Sequence, residues 1–115
     1  MALDIAWERQ DEIAVAVIAG RIDGNTTDQL QSELESGLGD EDQALILDFA
    51  QVSYINSSGL RVGLRIAKRC RESGKKFGIC NLSEATRDIV AISGFDQVIP
   101  VFESRNRAIN QVLVG

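Results

Sequence analysis

The stretch Ala44-Leu45-Ile46-Leu47-Asp48-Phe49 constrains this chain more than any other, being apolar at every position but one. A strand with one wet face alternates polar and apolar side chains. A run that is apolar throughout must be covered on both faces, as in a parallel sheet, and parallel neighbours need helical crossovers. The rest of the chain supplies them. Leu3, Ile5 and Trp7 alternate with Asp4, Ala6 and Glu8, which predicts an edge strand. Gln10-Asp11-Glu12 reads as a turn, Ile13 to Ile18 as a second strand completing a hairpin, and Gly20 as its end. Asn25-Thr26-Thr27-Asp28 then starts a helix, with Thr26 or Asn25 as N-cap, Leu30, Leu34 and Leu38 as its stripe, and Gly37 and Gly39 as its stop.

Beyond the apolar run, Ala50 to Asn56 reads as a loop. Ser57-Ser58-Gly59-Leu60 opens a helix to about Ser73, with Leu60, Gly63, Leu64, Ala67 and Cys70 as its apolar face and Gly74 as its cap. A strand over Lys76 to Cys80 follows, then a helix from an N-cap at Ser83 to about Ile92, ended by Gly94. Val98 to Val101 reads as a last short strand that Pro100 confines to an edge or a strand end, and Glu103 to Val112 as a terminal helix. This order predicts an α/β fold: a mixed, mostly parallel β-sheet with an N-terminal hairpin and about four helices packed largely on one face. At 115 residues and 44% hydrophobic, residues 1–115 suit a single domain that needs no disulfide or metal.

Composition removes several function classes. Histidine is absent, which excludes Ser-His-Asp catalysis within the chain and His-based metal sites. A serine nucleophile would need another base, and Lys68, Lys75 and Lys76 fall in polar settings that do not depress a lysine pKa. Gly74-Lys75-Lys76 lacks the earlier glycine of a phosphate-binding loop, and no G-x-G-x-x-G is present. Cys70 and Cys80 match no zinc or redox spacing and read as reduced core thiols. We therefore expect no enzyme and no cofactor. No run approaches the roughly 18 apolar residues of a membrane span, and the first residues lack the features of an export signal, so the expected location is the cytoplasm. The net charge of −5 argues against direct nucleic-acid binding. The charge is unevenly spread, with twelve acids and two bases over residues 1–55 but five acids and ten bases over 56–115, a polarity that suits docking on a charged protein surface as well as plain solvation.

Ser57 draws attention because it sits at a helix start, where free N–H groups and the helix dipole favour an anion. A phosphate there would carry a charge of roughly −1.5 to −2, and Arg61, one turn on, is placed to pair with it. The plain reading, a serine that simply caps the helix, stands ahead of a phosphosite on these grounds alone.

Three motifs carry a resemblance. Asn56-Ser57-Ser58-Gly59-Leu60, preceded by Leu47-Asp48-Phe49 and Val52-Ser53-Tyr54-Ile55, resembles the signature of STAS domains, and more narrowly of bacterial anti-sigma factor antagonists. Gly20-Arg21-Ile22-Asp23 with Thr26-Thr27 and Leu30 resembles the family's earlier motif, and Ser93-Gly94-Phe95 its late turn, in the family's order. The resemblance implies a single STAS domain in which Ser57 is phosphorylated by an anti-sigma serine/threonine kinase and dephosphorylated by a PP2C-type phosphatase. The unphosphorylated form would bind the anti-sigma factor and free sigma. It also implies that Asp23, Asn25 and Thr26 lie near Ser57, and that Asn56, Ser58, Gly59, Leu60 and Arg61 contribute to the partner surface. Asn56 departs from the family's usual Asp and brings no negative charge, which favours an alternative: an unphosphorylated STAS scaffold or subunit of a transport or signalling complex.

Overall fold

A computed structural model describes residues 3–114, so residues 1, 2 and 115 of the expected 1–115 domain lie outside the described residues. In chain order the elements are β1 (Asp4–Gln10), β2 (Ile13–Ile22), α1 (Thr27–Gly37), β3 (Ala44–Ile55), α2 (Ser57–Glu72), β4 (Lys76–Cys80), α3 (Glu84–Ile92), a 3-10 turn (Phe95–Gln97), β5 (Val101–Phe102) and α4 (Arg105–Gln111). The five strands lie side by side in sequence order, β1 antiparallel to β2 and every other pair parallel.

That order decides where the helices go. A sheet laid down in one direction by right-handed crossovers must put every crossover helix on the same face. α1, α2 and α3 are the crossovers, and they bury Leu30, Leu34, Val62, Ile66 and Val90 against Ala16, Ile18, Leu45, Leu47 and Ile79. α4 follows the last strand, is bound by no crossover, and covers the opposite face with Ala108 and Val112 over Ile13, Val15, Ala44, Ile46 and Cys80. Successive residues of β3 therefore enter two different cores, which is why its first six residues are all buried.

Four readings of the sequence need correction. Ala50 to Ile55 is not a loop; it continues β3, paired with β2 from Gln51↔Ala19 to Ile55↔Ile22. Two register shifts place extra residues on β3, so its core-facing Phe49, Val52 and Ile55 recur every third position and break the alternation that marks a strand. Gly20 does not end β2; it sits opposite Val52 with φ 118° and lets the strand run on to the buried Ile22. The strand expected over Val98 to Val101 shrinks to Val101–Phe102, because the N–H groups of Val98 and Ile99 both turn back to the carbonyl of Phe95. Leu64 is 40% exposed rather than core, since the buried face of α2 is centred on Val62 and Ile66.

Candidate functional site

Asn56 joins the two segments of the candidate site. Its backbone N–H donates to the carbonyl of Ile22 at 3.2 Å, tying the end of β2 to the start of α2. Its side-chain Oδ1 accepts from the N–H of Gly59 at 3.2 Å, making Asn56 the N-cap of α2. Ser57 is thus the first helical residue and not the cap. The N–H groups of Ser57 and Ser58 belong to the first turn and have no carbonyl four residues back within the helix. They point out of the positive end of the dipole.

Gly59 sets how deeply this turn is seated. A Cβ built there would lie 2.5 Å from Cγ2 of Ile22 and 2.7 Å from Cγ1 of Ile55. Only a residue without a side chain lets the helix start this close to the sheet. Leu60 beside it is 7% exposed. The result is a turn held from below by Gly59 and Leu60, with Ser57 exposed, Ser58 half-buried and Arg61 exposed one turn on.

The second segment is the loop after β2. Thr26 is the N-cap of α1 by position, yet its side chain makes no cap hydrogen bond. Its Oγ1 instead donates to the carbonyl of Arg21 at 2.8 Å and accepts from the N–H of Asp23 at 3.0 Å, closing the loop on itself. The backbone N–H groups of Thr26 and Thr27 both reach the carbonyl of Asp23. Asp23 Oδ1 accepts from the N–H of Asn25 at 2.9 Å, a local turn of the kind aspartate favours. Asn25 is exposed at the tip, Asp23 is half-buried, and Thr26 is 4% exposed.

The pairing of Ile22 with Ile55 and the Asn56–Ile22 hydrogen bond set the Asp23 loop and the start of α2 side by side, and the residues expected there fall in two layers. Ser57, Asn25 and Arg61 face solvent, with Asp23, Asn56 and Ser58 half-buried beside them. Thr26, Gly59 and Leu60 are buried and can shape a partner surface without lying on it.

Sequence reasoning missed Arg21 and Tyr54. They are register partners on β2 and β3, and the Arg21 guanidinium carbon lies 4.3 Å from the centre of the Tyr54 ring. The same guanidinium is 3.6 Å from Asp23 Oδ2, so a cation is braced beside the loop. Arg21 belonged to the motif quoted above, but only the bulged pairing reveals which residue lies across from it.

A second charged centre lies on the α4 face. Asp48 is 3% exposed and accepts from the N–H of Ala50, from Nδ2 of Asn81 and from Nε and Nη2 of Arg105 on α4. Burial pushes its carboxyl up, and these donors outweigh burial to hold it below the usual carboxylate range. Arg105 also reaches Glu8 of β1 at 2.6 Å. Burial pushes the Cys70 thiol up to about 11 and Cys80 to about 12, so both stay protonated and unreactive near neutral pH. Among the described residues no helix is long and apolar enough to cross a membrane.

Comparison with known proteins agrees with this geometry. Residues 4–108 match the family model for the STAS domain. BtrV of Bordetella bronchiseptica, which bears the designation anti-sigma factor antagonist, is 30% identical over 106 residues, covering 92% of this chain and 91% of its own. The crystal structure of an anti-sigma factor antagonist from Mycobacterium paratuberculosis superposes with a TM-score of 0.87 at 24% identity, over 96% of this chain and 93% of that one. The Bacillus cell fate determinant SpoIIAA in its phosphorylated form does so with a TM-score of 0.68 at 19% identity, over 95% and 99%.

Proposed function

The chain belongs to the STAS domain family, in the company of proteins named anti-sigma factor antagonists, and from that premise we propose that it is a partner-switching regulator. It binds an anti-sigma factor or an anti-sigma serine/threonine kinase through the Asp23 loop and the first turn of α2. Phosphorylation of Ser57 by the kinase switches it off, and a PP2C-type phosphatase resets it. It works in the cytoplasm by binding, without cofactor, direct nucleic-acid contact or catalysis of its own.

One observation carries this reading: the Ser57 hydroxyl is exposed at the mouth of α2, on a turn whose neighbours are locked from below. A kinase can reach it. The free N–H groups and dipole of the helix, with Arg61 one turn on, make the phosphorylated form tolerable to the fold. A docked protein would have to bury that dianion, and a cost of about 4 kcal/mol already lowers affinity roughly a thousandfold. SpoIIAA, which shares the fold, is known in a phosphorylated form.

The test starts with a pull-down from native cells, with mass spectrometry of both the bait's modification and its prey. In titrations with the captured partner, Ser57→Asp should lose about tenfold or more in affinity while Ser57→Ala keeps it, since even a partial charge mimic costs about 1.4 kcal/mol or more. Equal binding by the two variants would sink the switch. A second reading rests on Asn56, whose amide caps α2 without bringing the negative charge a kinase's basic groups would meet. It makes the chain an unphosphorylated scaffold of a transport or signalling complex. Phosphate found at Ser57 in cells decides against it, and its absence under every growth condition decides for it.

A further inference from the structure

The solvent face of α2 carries a stripe that the Ser57 site does not use up. At 3.6 residues per turn, Ser57, Arg61, Leu64, Lys68 and Arg71 fall on one line along the helix. All five are exposed. The neighbouring arginines of α2 are engaged with α1: Arg65 donates to Gln31 at 2.7 Å, and Arg69 lies 3.5 Å from Glu35. Arg61, Lys68 and Arg71 have no carboxylate within ion-pair distance among the described residues. Glu72, the one acid of the helix, follows Arg71 and stands one turn beyond Lys68, with no ion pair to either among the described residues.

The stripe runs into a groove. Leu64, Ala67, Arg71, Phe77, Val98 and Pro100 line an open depression of about 410 Å³ between the second half of α2 and the segment after the 3-10 turn. Val98 is 62% exposed and Leu64 40%, so two large apolar side chains stand in water beside cations without partners. Val98 closes the 3-10 turn, its N–H donating to the carbonyl of Phe95, while Ile99 beside it, bonded to the same carbonyl, is the residue that enters the core.

Resting on the reading of Ser57 given above, we infer that this stripe and groove are the docking track for the partner, and that the partner presents an acidic amphipathic segment. Its apolar side chains seat on Leu64 and Val98, and its carboxylates meet Arg61, Lys68 and Arg71. Charge selects this occupant. The cations are unpaired although the chain as a whole is −5, so a local acidic segment is attracted while a long polyanion is repelled by the remainder of the surface. An apolar centre flanked by cations fits the apolar and acidic faces of one helix better than it fits a phosphodiester backbone. The track also explains the sign of the switch: a phosphate on Ser57 stands at the head of the line and repels the carboxylates that the line attracts.

The probe is a synthetic amphipathic peptide with Leu on one face and Glu on the other, with its Lys-for-Glu counterpart as control, titrated into the full chain by heteronuclear NMR. The Glu peptide should shift the amides of Arg61, Leu64, Lys68, Arg71 and Val98, and the Lys peptide should not. Reversing three exposed cations (Arg61→Glu, Lys68→Glu, Arg71→Glu) should weaken binding about tenfold, with a similar loss for Leu64→Ser with Val98→Ser and none for Arg107→Glu on α4. Shifts that map elsewhere, equal binding by the reversed variant, equal binding of a single-stranded oligonucleotide at the same residues, or self-association that covers the stripe would each overturn the inference. Ser57→Asp separates it from the switch: if the peptide maps to the stripe and Ser57→Asp leaves its affinity unchanged, the track stands and the phosphorylation reading fails.

Discussion

Gly59 is where a single atom decides the site. Its missing Cβ is the space that Ile22 and Ile55 occupy, and both of those side chains belong to the main core. Gly59→Ala should therefore destabilise the fold by about 1–3 kcal/mol, as overpacking does, although alanine favours helix elsewhere. Denaturant unfolding measures this, and a variant as stable as the parent would show that the first turn of α2 is not seated as described. Asp48 makes a separate case. Its carboxyl is held below the ordinary range in the fold, so the stabilisation it contributes is present above the unfolded pKa and is lost as pH falls through the folded pKa. Asp48→Asn should cost about 1–3 kcal/mol at neutral pH and less in acid, where the parent has lost the same charge. A stability difference that stays constant from neutral pH to below about pH 3 contradicts this account.

At the scale of elements, the helices are not equally anchored. α1, α2 and α3 are crossovers, each held by strands on both sides. α4 is short, closes the smaller core with Ala108 and Val112, and is tied down by the contacts of Arg105 to Asp48 and Glu8. Arg105→Ala should raise hydrogen exchange across α4 by about tenfold or more while leaving α2 protected, because a charge-assisted pair of this kind contributes about 1.5–3 kcal/mol. Uniform acceleration over the whole sheet would mean that α4 does not open as a separate unit. The elements also show where reading the sequence succeeds. Ser83 and Gly94 bound α3 as expected, with Ser83 accepting from Thr86 and Gly94 in the left-handed region at φ 76°. Those signals are local. Of the loop expected over Ala50 to Asn56, all but Asn56 is strand, because its pairing with β2 supplies hydrogen bonds that no local pattern announces, and because its core residues are spaced by bulges rather than by two.

For the whole molecule, the uneven charge and the helix mouth make one further prediction. If the fold accepts an anion at Ser57, Ser57→Asp should keep the melting temperature of the parent or raise it slightly, the dipole contributing about 0.3–1 kcal/mol. A marked fall in thermal unfolding would show that the position tolerates no charge, and any loss of partner binding would then be a loss of fold.

What the chain determined unaided is what neighbouring residues determine among themselves: the alternation of strand and helix, the caps at Ser83 and Gly94, the buried run of β3, and a serine at a helix start. Those depend on side-chain period and on hydrogen bonds within a few residues, which the order of residues states directly. The tertiary structure alone decided that Asn56 rather than a serine caps α2, that Thr26 closes its loop instead of capping α1, that Arg21 lies on Tyr54, and that Leu64 and Val98 face water. The Arg21–Tyr54 contact follows from the bulged register of β2 against β3 and the exposure of Leu64 from the face that α2 turns to the sheet, both set by packing between segments distant in sequence, while at Asn56, Thr26 and Val98 the fold selects one of several local hydrogen bonds.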